Sequence, residues 1–272
     1  RVATGEGVWG GLGLLETHRR TGDAAYLEGA LRWYRYLLNQ IGFQQVGDEV
    51  AVNYFAARDG VRVPNTSADV VRFLAELSEA TGDRAYLAES AGLLTFLERA
   101  QSPTGELPYA VAGAGHERPR PHFQCYQYNA FQCLGLLRYE ELIRDGRAGA
   151  IAARVLEFLR TGQVEDGRAF YECGNRYREV TYHAAALGAA FARAGELGIG
   201  GYAEPASRAF RYVLGRQRPD GGFEYSRRDY RLLSDRRSYP RYLAMILYHL
   251  LLRDQALRAG AGHAPAALSE AR

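Results

Sequence analysis

The sequence predicts an all-α fold in which helix pairs form an inner and an outer ring, and three observations predict it. First, the phrase Gln217-Arg218-Pro219-Asp220-Gly221-Gly222-Phe223-Glu224-Tyr225, of the form Q-x-x-D-G-G-F-x-Y, recurs in weaker form. Gln163 to Gly167 leads to Phe170-Tyr171, Gln101 to Gly105 leads to Leu107-Pro108-Tyr109, and Gln40 leads to Gly47-Asp48. These glutamines stand 61, 62 and 54 residues apart, a near-regular period that marks a repeat architecture. Second, each period reads as helix, short turn, helix, longer loop. Third, in units one, three and four the first helix is the less charged. Val180 to Ala192 and Tyr126 to Leu137 hold no Asp, Glu or Arg. A helix apolar all round is buried and an amphipathic one lies at the surface, so first helices should be inner and second helices outer.

Gly7 to His18 is the first predicted helix, with Gly10, Gly11 and Gly13 as poor helix formers that suit tight packing. Thr21-Gly22-Asp23 reads as a stop and a new N-cap. Ala24 to Asn39 follows, with Tyr26, Leu27, Ala30, Leu31, Tyr34 and Leu38 at helical spacing. Gln40 to Pro64 is a loop with a short hairpin expected at Val50 to Phe55. Asn65 to Ala80 starts the second unit, although its Asp69, Arg72, Glu76 and Glu79 break the charge pattern. Thr81-Gly82-Asp83 and Ala85-Tyr86-Leu87 repeat the earlier turn and helix start, and that helix ends near Gln101. A Pro- and Gly-rich loop runs to Pro121. Tyr126 to Arg144, a turn at Asp145-Gly146 and a helix to Leu159 make the third unit. Glu179 to Leu197, a Gly198 to Gly201 turn and Glu204 to Arg216 make the fourth. A ninth helix runs from Pro240 to Arg253, its proline placed where a missing N–H costs nothing. The expected organisation is one domain over 1–258 and a disordered tail over 259–272. Arg1 stands just before a helical run, as in a chain that continues upstream.

Composition excludes several classes. A net charge of +3 is too small to argue for nucleic acid. No stretch approaches the ~18 apolar residues of a membrane span, and no signal peptide is visible; a soluble protein, cytoplasmic rather than secreted, is expected. Three cysteines without short-range pairing do not form a disulfide framework. The 19 tyrosines outnumber the 11 phenylalanines, as at a wet cavity lined by rings with polar tips.

Alternating inner and outer helices with Q-x-x-D-G-G-F at the outer-to-inner turn resemble the α/α-toroid proteins. That superfamily includes terpenoid cyclases, protein prenyltransferase β subunits, polysaccharide lyases, glycoside hydrolases and uronyl epimerases. Gln217 to Phe223 is similar to the glutamine-and-aromatic repeat of terpenoid cyclases, where the Gln ties a helix end and the ring stacks on it. The likeness covers nearly the whole chain as architecture and says more of fold than of activity.

The long loops should gather at the N-terminal ends of the inner helices, and their polar residues form clusters. Asn53, Tyr54, Asn65 and Asp69 make the first, with Glu6 and Trp9 in the corresponding place on the first helix. His122, Gln124, Cys125, Tyr126, Gln127, Tyr128 and Asn129 make the second. Tyr171, Glu172, Cys173, Asn175, Tyr177, Tyr182 and His183 make the third. Tyr225, Arg228, Asp229, Tyr230, Asp235, Arg236, Arg237, Tyr239 and Arg241 make the fourth. Polar groups on apolar helices are costly unless they face a cavity or one another. They can equally be caps and interhelix bonds, but as a set they predict a polar, aromatic-lined pocket.

Acid–base chemistry needs ionisable groups within reach of one substrate atom. Glu172, Asp229, Asp235 and Asp69 are the carboxylate candidates, with Tyr128, Tyr182 and His183 as further acids or bases. Asn53, Tyr54, Asn65, Asp69, His122, Gln124, Asn129, Asn175, Tyr225, Arg237, Tyr239 and Arg241 are the expected substrate contacts. Arg237 and Arg241 lie one helical turn apart and suit an anionic group. His122, Cys125, Cys173 and His183 are a zinc candidate, but no C-x2-C or H-x3-H pair accompanies them, and no metal or cofactor is expected. The resemblance then implies three readings. One is a carbohydrate-active enzyme of lyase, epimerase or hydrolase type acting on an acidic polysaccharide or glycan. The second is an isoprenoid enzyme, although the D-x-D-D and D-D-x-x-D motifs are absent. The third is a non-catalytic scaffold.

Overall fold

The computed structural model describes residues 3–56, 60–113, 125–173, 175–229 and 233–261, with side chains at 175, 228, 229 and 255–261 excepted. The chain divides into two compact units, 1–158 and 159–272, taken separately below.

The first unit holds α1 (Thr4–Thr21), α2 (Ala24–Tyr36), β1 (Phe43–Val46), β2 (Glu49–Val52), α3 (Pro64–Thr81), α4 (Ser90–Ala100), α5 (Tyr126–Ile143) and most of α6 (Arg147–Thr161). The repeated turn works as its residues dictate. Gly22 and Gly82 take left-handed φ of 70° and 72°, which only glycine adopts freely. Asp23 and Asp83 then accept from the Ala25 and Ala85 amides, each at 2.9 Å, capping the next segment. Two predicted outer helices are interrupted. The second gives way to a π-helical turn at Leu37–Ile41. The fourth begins as a 3-10 turn at Arg84–Leu87.

The hairpin lies earlier than Val50 to Phe55, pairing Phe43 with Val52 and Val46 with Glu49 around Gly47. The φ of 63° at Gly47 sets the reversal there. Burial also departs from expectation. α3 is the most buried helix of this unit, from Pro64 to Ser78, despite its charges. Those charges are paired inside it: Arg72 donates to Glu76 at 2.7 Å. By contrast α1 buries one face only, and Gly10 and Gly13 are exposed.

The second unit holds the end of α6, β3 (Phe170–Glu172), β4 (Asn175–Glu179), α7 (Thr181–Glu196), α8 (Ala203–Leu214), β5 (Ser226–Asp229), β6 (Leu233–Asp235) and α9 (Pro240–Ala261). Helix α7, Ala-rich and uncharged through Ala192, is buried from Thr181 to Phe191, as its composition predicts. The β3–β4 and β5–β6 hairpins occupy stretches read as loop, because their polar, Tyr- and Arg-rich strands carry no clear two-residue alternation. Helix α9 extends beyond Arg253 to Ala261; the remainder of the expected tail lies outside the described residues. Among the described residues, no helix is long and apolar enough to cross a membrane.

Candidate functional site

Threonines at the first positions of α1 and α7 fix the helix mouths. Thr4 Oγ1 donates to the Asn53 carbonyl at 2.6 Å, and its amide to the Tyr54 carbonyl at 3.1 Å. In the second unit Thr181 makes the same pair of bonds, to the Glu224 carbonyl at 2.6 Å and the Tyr225 carbonyl at 2.9 Å. Each bond pins the N-terminus of one helix to the loop that leads into the next, so loop side chains are held at the helix mouth.

In the first unit the mouth is built around Asp69, in the second turn of α3. Its carboxylate accepts the Trp9 indole N–H at 3.1 Å. Trp9 meets Phe131 of α5 edge-on, with centroids 6.1 Å apart, and the Arg72 guanidinium lies 5.8 Å from the Trp9 ring. Burial pushes Asp69 up from the usual carboxylate range to about 7, against the opposing pull of Arg72 and the indole. A buried carboxyl that changes charge near neutrality is equipped for general acid–base work. Tyr109 and Tyr128 form a neighbouring ring pair, with centroids 5.6 Å apart. Burial, reinforced by Tyr54, holds the Tyr109 phenol protonated far above its ordinary range.

Other predicted contacts of this unit are committed within the protein, Asn53 and Asn129 to the backbone and Asn65 to a side chain. Asn53 Nδ2 donates to the Ile41 carbonyl at 2.9 Å. Asn129 accepts from the Leu107 amide at 2.8 Å and donates to its carbonyl at 3.3 Å. Asn65 accepts from the Thr66 hydroxyl at 3.2 Å. These three shape the mouth. His122 and Gln124 lie outside the described residues.

In the second unit, rings assemble around the start of α7. His183 is 1% exposed, stacks on Tyr171 (5.2 Å, 14°) and meets Tyr182 edge-on (4.5 Å, 84°). Burial lowers its pKa to about 3, against the opposing pull of a hydrogen bond to the Phe170 backbone. Tyr182 stacks on Tyr242 (4.5 Å, 11°), and Tyr225 and Tyr239 pack on Tyr242 in turn. The Arg178 guanidinium lies 4.2 Å above Tyr171. Tyr225 is held protonated by burial and by Tyr242.

Asp235 is engaged rather than available. It accepts from Arg237 Nη2 at 2.7 Å, the Arg237 amide at 2.9 Å and the Tyr239 hydroxyl at 2.9 Å, which keep it ionised well below the ordinary range. Arg237 is thereby paired as well, and Arg241 is exposed. Glu172 is half-buried in β3, whereas the side chains of Asp229 and Asn175 are outside the described set. Cys125 and Cys173 carry free thiols. Among the described residues, no group of three or more His, Cys, Asp or Glu side chains is placed to hold a metal ion.

Sequence reasoning passed over Phe131, Arg178 and Tyr242. Helical phase holds the signal for the last: Tyr242 follows Tyr239 by three positions and shares its face, whereas Arg241 turns outward.

No family model matches the chain, and no curated protein matches it by sequence. Solved structures do. D-mannose isomerase aligns with a TM-score of 0.76 at 11% identity, over 95% of this chain and 71% of that one. Cellobiose 2-epimerase from Bacillus thermoamylovorans B4167 aligns with 0.73 at 15%, over 92% and 72%. A possible member of the GH105 family from Klebsiella pneumoniae aligns with 0.70 at 16%, over 92% and 70%. These likenesses carry the fold, which is all-α and of the α/α-toroid class. By their printed names the three are carbohydrate-active proteins.

Proposed function

We propose that this protein is a carbohydrate-active enzyme acting on an acidic glycan, with Asp69 as its general acid–base group. One observation carries the reading. Asp69 is buried at a helix mouth, held by the Trp9 indole and tuned to about 7. A carboxyl in that state donates or accepts a proton at working pH, as hydrolysis, elimination and epimerisation of sugars all require. Trp9, Phe131, Tyr109 and Tyr128 offer faces on which sugar rings stack, and the Arg72 guanidinium, held by Glu76, puts positive charge beside Trp9. The carbohydrate-active proteins of the same fold support the class of substrate. The isoprenoid alternative finds no support among the structures compared.

A second reading rests on His183 and Tyr182. The buried His183 imidazole is neutral throughout the working range and can accept a proton from a sugar carbon beside a carboxylate, with the Tyr182 ring edge-on to it. The test is a thermal-shift panel of uronic-acid oligosaccharides, neutral oligosaccharides and isoprenyl diphosphates. A ligand at 100 times its Kd stabilises by about 2.7 kcal/mol. Stabilisation by an acidic saccharide, weakened in Asp69→Asn, is expected; stabilisation by isoprenyl diphosphates alone contradicts the proposal.

A further inference from the structure

Asp69, Arg72 and Glu76 stand three and four positions apart on α3, so their side chains form one stripe along the helix. Arg72 lies between two carboxyls and can serve either. The favoured order on a helix puts the acid before the base, which picks Asp69. The structure shows the other choice. Arg72 Nε donates to Glu76 Oε1 at 2.7 Å, both side chains being largely buried. The partner of Asp69 is instead the neutral Trp9 indole at 3.1 Å. The guanidinium is nevertheless close by, 5.8 Å from the Trp9 ring.

The helices on either side of α3 account for the choice. Arg138 of α5 brings a second cation to Glu76, with Nε 3.7 Å from Oε1, and is itself fixed by Glu79 at 2.9 Å and Glu141 at 2.6 Å. Arg19 of α1 is drawn to Glu76 and Glu79 as well. Glu76 is thus the fixed point of a charge cluster that lies on the C-terminal side of Asp69. Charges on β2 and α4, which also pack on α3, are engaged elsewhere: Glu49 with Arg62, Glu98 with Arg147 and Arg99 with Asp48. Among the described residues, Arg72 is the charge that acts on Asp69, alongside burial and the indole.

We propose that Glu76 is a positioning residue for Asp69: it holds the Arg72 guanidinium one helical turn away from that carboxyl and leaves the carboxyl a neutral partner. The inference rests on Asp69 as the acid–base group. A carboxyl bonded to a guanidinium stays ionised and has no proton to donate. With Arg72 drawn to Glu76, Asp69 keeps its proton into the neutral range. Glu76 acts through Arg72 and has no part in the chemistry itself.

The test follows the side-chain carboxyl carbon resonance of Asp69 by NMR as pH is varied, in the full chain without substrate. Loss of the signal in Asp69→Asn identifies it. Glu76→Gln releases Arg72 toward Asp69, and the Asp69 midpoint should fall by about 1–3 pH units, the effect of an adjacent Arg. In an Arg72→Met background the same substitution should no longer lower it. Glu76→Asp keeps the charge and shortens the reach, so it should give a smaller fall; it carries the test if far-UV circular dichroism shows Glu76→Gln unfolded. The limb of kcat/KM on uronic-acid oligosaccharides should move with the midpoint. A midpoint unmoved in the Glu76 variants, or lowered equally with Arg72 replaced, would overturn the inference and leave the carbohydrate reading untouched. Absence of turnover on any saccharide would remove that reading while the titration result stands.

Discussion

The Trp9 indole donates to the Asp69 carboxylate across 3.1 Å, joining α1 to the most buried helix of the first unit. A single neutral donor does not offset the burial of a carboxylate, so Asp69 holds its proton to about pH 7. The sign of the resulting pH dependence follows. Between the unfolded pKa near 3.8 and the folded value near 7, the folded state binds a proton that the unfolded state has lost. Stability on this account is greatest below the window, falls as pH rises through it, and stays low above it. Asp69→Asn, which mimics the protonated form, should match wild type near pH 4 and exceed it near pH 8 by at most about 4 kcal/mol. Urea melts at the two pH values measure this.

Trp9→Phe removes the donor and keeps a ring. The expected result is a further rise in the Asp69 pKa, visible as the same stability transition moved to higher pH. Loss of a hydrogen bond to a charged group costs about 1.5–3 kcal/mol where the carboxylate is ionised. An unchanged transition would show that the indole does not set the proton affinity.

His183 acts in the opposite direction. Its folded pKa, lowered to about 3, means that the unfolded chain binds a proton below about 6.5 while the folded chain does not. Its contribution is therefore intact above that value and is lost as pH falls towards 3. His249, buried and lowered to about 4, adds to the same acid sensitivity. His183→Phe, which keeps a ring against Tyr171, should flatten stability between about pH 6.5 and 4 relative to wild type; equal slopes would contradict the burial argument.

Gly105, Gly167 and Gly221, at equivalent places in the repeated glutamine turns, separate backbone strain from collision. All three have positive φ, so each substitution by alanine incurs the left-handed cost of about 1–2 kcal/mol. At Gly105 and Gly167 the added Cβ also meets a carbonyl of the next helix. Gly105→Ala and Gly167→Ala should therefore lower Tm clearly more than Gly221→Ala in the isolated chain, as read by calorimetry.

Much of the architecture is legible in the residues. The Gly22-Asp23 and Gly82-Asp83 turns mark helix boundaries because a left-handed stop and a carboxylate cap each need a particular residue. Asp220 reads as structural and is so, accepting from the Gly222 amide at 3.0 Å. What escapes is decided by tertiary partners. The Arg72–Glu76 pair lets a charged helix be buried, which a charge count reads as exposure. The β3–β4 and β5–β6 hairpins are fixed partly from outside, through Ser226 Oγ on the Glu179 carbonyl at 2.6 Å, rather than by strand propensity. At the candidate site, residue type singles out polar loop residues but not the partners they take. Asn53 and Asn129 serve backbone groups, and Asp235 serves Arg237. Asp69, expected both as a contact and as an acid–base candidate, is set apart from the other carboxylates by its burial, which no residue pattern reveals.

The most direct test of the central claim is the pH–rate profile of wild type and Asp69→Asn on uronic-acid oligosaccharides, with products read by mass spectrometry. The expected result is conversion by wild type with a limb near pH 7 and a loss of about 10²–10⁴ in rate for Asp69→Asn in a chain that remains folded. Wild-type turnover retained by Asp69→Asn, with the same limb, would contradict it.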